Sequence, residues 1–449
     1  MYSNPKSVQT VGVVPPVPTL TGVGFLRLGS IKSIKPGENK GDSTKHVARE
    51  KPKMLKNKHL KDWSCIVSKQ MPHLSIPQAI GLATWSFGVV MTKSSSLTQV
   101  SHFIAQLNGE KPNTVRQRLK EWYQEAPAKK GVHRRELDVS GCFAPLMSWV
   151  LSLLPKNVED IALALDATSI GDKFTVLSMN ILLGGSGIPV AWCIVRATEP
   201  GSWKPHWQKL ISVVQGVIPA NFRVIVAADR GLYADWLYQL IESVGWHPFL
   251  RINHQGTYRL PSQQTWQPLA HLVRQGGQSW SAEVVCFKTN PLSCTLLARW
   301  DLDYKDPWLI LTDFKPQEAN VLWYGLRSCT ECVYRDFKSD GWQWHNTRLL
   351  SPQRAERMWL VLAVATLWMV ILGGTHENQS LASNFQQLPL GHTALNQPPS
   401  LKKGRHLSCF LKGFVTLMAN LLNNIPIHLE RWSSFPHTPV DAFYACNSS

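Results

Sequence analysis

Acidic residues are scarce in this chain. Against 47 Lys and Arg stand 30 Asp and Glu, a formal net charge of +17 over 449 residues. A soluble protein this short of negative charge most often meets a polyanion, either nucleic acid or an anionic membrane surface. No GxGxxG and no P-loop appears, which removes the usual grounds for a nucleotide enzyme. The nine cysteines are odd in number and scattered, so no disulfide framework is expected and a reducing cytosol fits. Cys329 and Cys332 form the one C-x2-C, but no second pair or nearby His completes a zinc set. No basic start followed by an apolar core marks a signal peptide. Nothing in the sequence suggests a Ser-His or Cys-His nucleophile, and no internal repeat is visible. Long apolar runs are also few. The prominent one is residues 358–372, MWLVLAVATLWMVIL, shorter than the roughly 18–20 residues a membrane span needs. Arg354 and Arg357 precede it and Gly373-Gly374 follow it. A buried helix is the expectation, and no membrane partner.

What is present begins with enough apolar residues, 44%, for two or three domains with real cores. The nineteen Trp offer flat faces for base stacking, although most are expected in the core. Residues 1–60 are rich in Lys, Pro, Gly and Ser and read as a basic flexible arm that could lie along phosphate. A solvated tail would look similar. Residues 61–155 are helical in pattern. Lys111-Pro112-Asn113 turns the chain and Thr114 is the expected cap of a helix reading VRQRLKEWYQE. Arg116, Arg118 and Lys120 lie near its start, and Lys129, Lys130, Arg134 and Arg135 continue the basic surface. A short turn before a basic helix resembles a helix-turn-helix DNA reader, and an amphipathic bundle helix gives the same pattern.

From residue 156 the texture changes to strands. Residues 161–165 are a wholly apolar run ending in Asp166, suited to a central strand covered on both faces. Two further strands, 174–183 and 188–197, flank a Gly-rich hairpin signal. A helix over 203–217, a buried strand over 222–228 ending in Asp229, a helix over 234–244 and a strand over 247–252 complete this part. Three strands as a meander, then helix, strand, helix, strand, is the order of an RNase-H-like fold. Its first and fourth strands lie side by side and parallel. Asp166 and Asp229 would then stand at adjacent carboxyl ends, where open α/β sheets place their sites. Taken singly, either acid could be an ordinary turn residue. Residues 254–306 read as a β-rich insertion, 307–375 as the second part of the core, and 376–449 as a C-terminal helical region and tail.

Within that second part lies YGLRSCTECVYRDFK, residues 324–338. On a single α-helix Tyr324, Arg327, Glu331 and Lys338 project within a sector of about 60°, at about 100° per residue, and Arg335 falls on the same sector. One acid in line with three bases and a phenol suits a site for a metal ion and a phosphate chain. The carboxylate binds the metal, and the cations and phenol hold phosphate oxygens. The plainer alternative is a solvated face with i, i+4 pairs, Arg327 to Glu331 and Glu331 to Arg335.

Tyr324-x2-Arg327-x3-Glu331-x6-Lys338 resembles the YREK signature of insertion-sequence transposases of the "IS-four" group. Asp166 in DAT and Asp229 in DRGLY resemble that family's D-x-T and D-R-G-F/Y contexts. The resemblance covers residues 158–372 and extends to the N-terminal part only in its being basic and helical. It implies an RNase-H-like α/β core with a β-rich insertion, preceded by an α-helical DNA-binding domain. It further implies a cut-and-paste enzyme, located in the cytoplasm with the bacterial nucleoid, that acts on double-stranded DNA, both transposon ends and target, as a homodimer. Asp166, Asp229 and Glu331 would hold two Mg²⁺ ions, with Mn²⁺ able to substitute. Tyr324, Arg327 and Lys338 would grip phosphates near a hairpin end, and a Trp would stack a flipped base. Two alternatives stay open: an RNase-H-like nuclease without strand transfer, and a non-catalytic DNA-binding protein derived from a transposase.

Overall fold

The computed structural model describes residues 55–131, 134–156, 158–183, 185–199, 203–302, 304–377 and 407–432. The basic arm expected over 1–60 lies outside them as far as residue 54, as does the C-terminal tail.

Five helices open the described chain: α1 (Lys58–Gln70), α2 (Ile76–Thr92), α3 (Leu97–Asn108), α4 (Pro112–Trp122) and α5 (Ser140–Leu153). Local signals fix their starts. Asn57 Oδ1 accepts the Leu60 N–H at 3.0 Å, so α1 begins at Lys58, three residues before the expected helical region. Gln78 accepts the Ser75 N–H at 3.0 Å in a capping box ahead of α2. Gly109, at φ 63°, takes the left-handed conformation that ends α3. The cap expected at Thr114 is not where α4 begins. Its N-cap is Lys111 and Pro112 fills the first turn, a position where a missing N–H costs nothing.

A mixed ten-stranded sheet follows, with β1 (Asp160–Ile170), β2 (Phe174–Leu183), β3 (Ser186–Arg196), β4 (Arg223–Ala228) and β5 (His247–Arg251) as its first half. Helix α6 (Lys204–Gln215) connects β3 to β4, and α7 (Asp235–Ser243) connects β4 to β5. The second half comprises β6 (Thr257–Arg259), β7 (Gln267–Pro268), β8 (Gln278–Cys286), β9 (Leu292–Trp300) and β10 (Trp308–Thr312). The spatial order is β3-β2-β1-β4-β5-β10-β9-β8-β6-β7. β1 and β4 are adjacent and parallel, as are β4 and β5. The strands of 254–306 extend this same sheet through the antiparallel pairing of β9 with β10.

β1 is longer than its apolar run. It was expected to end at Asp166, yet it stays paired with β2 as far as Ile170. Only its parallel ladder with β4 stops, at Leu165 opposite Ala228. Asp166 and Asp229 are thus each one residue past the last parallel pair. The hairpin to β2 carries β1 onward, because an antiparallel partner needs no shared carboxyl end.

The segment expected as one helix from about residue 317 passes through three pitches. It is a 3₁₀ helix over Val321–Arg327, an α-helix, α8, over Ser328–Arg335, and a π turn over Asp336–Asp340. Helix α8 lies on small residues of the sheet. Leu326 and Cys329 pack against Ala162 and Ala164, and a Cβ on Gly187 would press on Val333.

The apolar run belongs to α9 (Pro352–Glu377), 26 residues long. This helix is long and apolar enough to cross a membrane, contrary to the length expected from the run alone. Its most apolar window is 89% buried inside the protein. Trp63 stacks on Trp368 with centroids 3.9 Å apart. The arginines ahead of the run are tied inward: Arg354 to Glu125 at 2.7 Å, and buried Arg357 to the Tyr123 carbonyl at 3.0 Å and Glu136 at 3.3 Å. Helix α10 (Cys409–Leu422) crosses α9 at two glycines. A Cβ on Gly413 would overlap the Met369 carbonyl, and one on Gly373 the Cys409 carbonyl.

Gly413→Val should therefore cost about 2–3 kcal/mol through overpacking against backbone that cannot yield, read as a lower urea midpoint. Asp336, at the head of the π turn, is 3% exposed. Burial pushes its carboxyl up to about 7, against the pull of Arg335; Asp340 adds to the rise and Lys93 opposes it. A carboxyl raised on folding favours the folded state while protonated. That stability is complete below about pH 4 and is lost as pH rises through about 7. Asp336→Asn should thus melt higher than the parent at about pH 8, and the difference should vanish near pH 4. At about 1.4 kcal/mol per pKa unit the gain is bounded by roughly 4 kcal/mol.

Candidate active site

Asp166 leaves β1 with its carboxyl held close to the main chain, Oδ1 accepting the Ala167 N–H at 2.9 Å. Asp229 does the same after β4, accepting the Arg230 N–H at 2.7 Å. The parallel pairing of β1 and β4 sets these two acids side by side. Helix α8 brings Glu331 across from the other chain segment, and the turn before it brings Arg327.

The Arg327 guanidinium lies between all three acids. Its Nη2 is 3.5 Å from Asp166 Oδ2 and 3.5 Å from Asp229 Oδ2, and its Nη1 is 3.8 Å from Glu331 Oε1. These separations exceed the roughly 2.7–2.9 Å of a tight charge-assisted bond, so the guanidinium is shared loosely. The side chains of Arg327 and Asp166 are 14% and 15% exposed, while that of Glu331 is 64% exposed. Burial pushes the Asp166 carboxyl up, Arg327 opposes it, and Asp229 and Glu331 add to the rise. Burial works against the Arg327 charge, but the three acids around it oppose burial, and the guanidinium stays above its ordinary value.

Tyr324 and Lys338 flank this cluster. The Tyr324 hydroxyl donates to Asp229 Oδ1 at a long 3.5 Å, and its ring meets Trp308 edge-on at 5.3 Å. Burial raises its phenol well above the ordinary value. Lys338 Nζ donates to Thr168 Oγ1 at 2.9 Å and sits 5.8 Å over the Tyr334 ring. Burial draws its ammonium down, with Asp166 opposing. The π turn that carries Lys338 is fastened by a 2.6 Å contact between His345 Nδ1 and the Lys338 carbonyl. Beneath it Tyr334 Oη meets Ser178 Oγ at 2.7 Å, and Asn180 donates to the same Ser178 at 3.0 Å. Ser178 is the cross-strand partner of Asp166. This buried polar chain therefore registers α8 against the acid it serves.

The structure brings together six of the seven residues singled out from the sequence: Asp166, Asp229, Glu331, Arg327, Tyr324 and Lys338. Arg335 is the exception. It turns to Asp340 at 3.3 Å, both side chains half exposed. Of the two i, i+4 pairs considered, Arg327–Glu331 is present, whereas the π turn offers Arg335 the carboxylate of Asp340. Two residues went unassigned in the sequence. Thr168 stood in plain view within DAT but carried no role until Lys338 reached it. Arg251 ends β5 beside the Tyr324 phenol, a proximity with no sequence signal. In the C-x2-C, Cys329 is buried and pushed up to about 12, and neither Cys329 nor Cys332 is in a disulfide.

The donor set has the chemistry of a hard-cation site, with three carboxylates and neither sulfur nor imidazole. Among the described residues no group of three or more His, Cys, Asp and Glu closes on a point as a metal set does. As the side chains stand, the three acids converge on a guanidinium.

A second cationic surface lies on α4, where Arg116 and Lys120 are exposed and Arg118 is engaged by Glu110 at 3.0 Å. Lys130, Arg134 and Arg135 are exposed beyond it. No tryptophan is fully exposed. Trp266, Trp280 and Trp300, in the 254–306 region, are among the partly exposed ones.

No protein-family model matches the chain, and no curated protein does. Seven chains of solved structures match. One is a piggyBac transposase synaptic complex with hairpin DNA, 11% identical, covering 83% of this chain and 84% of the other at a TM-score of 0.32.

Proposed function

We propose that the protein is a DNA transposase with an RNase-H-like core, of the kind its YREK and DDE residues resemble. It would cut at the ends of a mobile element through a hairpin intermediate and join the 3′ ends to target DNA, acting as a homodimer. The observation that carries this reading is the convergence of Asp166, Asp229 and Glu331 on one cation at 3.5–3.8 Å. Two of these acids follow adjacent parallel strands and the third rides α8, whose flanking 3₁₀ and π turns carry Tyr324 and Lys338.

Asp166, Asp229 and Glu331 would hold Mg²⁺, two ions in this reading, which supplies positive charge to the attacking and leaving oxygens of the phosphodiester. The chain's own groups do the rest. Lys338, fixed by Thr168, offers a point charge to a phosphate oxygen. Arg327 offers a planar fork that suits bidentate contact with phosphate. Tyr324, kept neutral by burial, donates a hydrogen bond without adding charge. No side-chain nucleophile is needed, because water or a DNA 3′-OH attacks in line. The cationic faces formed by α4 and by Lys130, Arg134 and Arg135 would hold DNA beyond the cut.

The test is incubation of the purified protein with Mg²⁺ and the DNA that flanks its own reading frame, followed by a denaturing gel. Hairpin ends and joined products are expected. Cut ends that never join would favour the nuclease alternative. Asp166→Asn, Asp229→Asn and Glu331→Gln should each lower cleavage on the order of a thousandfold while leaving DNA binding largely intact. Wild-type cleavage by any one of them would defeat the assignment. Thr168→Val should slow strand cleavage about tenfold by freeing Lys338, and Thr168→Ser should restore it.

A further inference from the structure

We infer that Arg327 is a gate on cation loading: it holds the shared face of Asp166, Asp229 and Glu331 until a DNA phosphate draws it away. Divalent cation and DNA then bind with positive coupling. This inference rests on the metal reading proposed above and adds to it an internal competitor.

Three features of the cluster carry it. The guanidinium lies among all three acids, so a cation sharing those oxygens meets a like charge at close range. It is held loosely, since each separation is longer than a tight ion pair. Its Nε is buried with no hydrogen-bond partner, so the five donors of the fork are not all used. A phosphate can offer what the acids do not, two coplanar acceptors at bonding distance. The exposed carboxylate of Glu331 marks the side open to solvent, where DNA would approach and toward which Arg327 would turn. Lys338 cannot substitute as the gate, because its ammonium is engaged by Thr168.

The experiment uses the full-length protein and Mn²⁺ alone as the probe, titrated by electron paramagnetic resonance. Arg327→Gln is expected to bind Mn²⁺ about tenfold or more tightly than the wild type. Arg299→Gln, which removes the same charge on β9, is expected to match the wild type. A linear duplex of mixed sequence should tighten Mn²⁺ binding to the wild type, and tighten it less in Arg327→Gln, because the gate is already open. If Arg327→Gln binds Mn²⁺ no better than the wild type while Asp166→Asn still weakens it, the gate is overturned and the metal reading survives. If Asp166→Asn and Asp229→Asn leave Mn²⁺ binding unchanged, the metal reading falls and the gate with it. Should the Gln variant fail to fold, Arg327→Lys, with a shorter charge and no fork, should still gain affinity. Equal or weaker binding by that variant overturns the gate.

Discussion

Three carboxylates cannot share a half-buried corner without a cation, and the structure around the site is built to meet that constraint. Asp166 is desolvated and its neighbours Asp229 and Glu331 carry the same charge. Arg327 offsets this from within the chain. The position of Arg327 in turn depends on the 3₁₀ turn of Val321–Arg327 and on how closely α8 approaches the sheet. That approach depends on Ala162, Ala164 and Gly187, where larger side chains would lift the helix. The buried Tyr334–Ser178–Asn180 chain fixes the register of the same contact. A charge arrangement at the surface is thus held by small residues and a polar stack beneath it.

The apolar α9 serves as a central beam between the two halves of the fold. It touches β3 on one side and α2 and α10 on others. Its basic start is bound to acids and carbonyls of the α4–α5 region, so those arginines orient the helical part against the sheet. The run's composition resembles that of a membrane span, and its environment is a protein interior. Length and hydropathy do not separate the two, whereas burial does.

Pitch explains the one site residue that went astray. A uniform helix over residues 324–338 puts Arg335 beside Glu331 and Lys338. The actual segment tightens to 3₁₀, relaxes to α and widens to π, so angular positions derived from 3.6 residues per turn drift along it. Tyr324, Arg327 and Glu331 stay together because they sit close to one junction. Lys338 returns to the cluster through the π turn, and Arg335 does not. The strand expectations held closely where apolar runs were bounded by turns, as for β2 and β4. They failed in extent for β1, whose pairing with β2 continues past its apolar core.

The sequence by itself determined the order of elements, the mixed α/β class, the parallel pairing of β1 with β4 and six members of the charged cluster. The elements follow from apolar periodicity; the β1–β4 pairing is what the RNase-H-like order implies, and the grouping of Asp166 and Asp229 with residues 324–338 is what the transposase resemblance implies. Only the tertiary structure decided that Arg327 stands between the acids, that Thr168 holds Lys338, that Arg335 leaves the site, and that residues 254–306 lengthen the same sheet. Each of these depends on segments far apart in the chain. Their meeting is set by backbone clearance at small residues and by changes of helix pitch, and no periodicity along one segment encodes either.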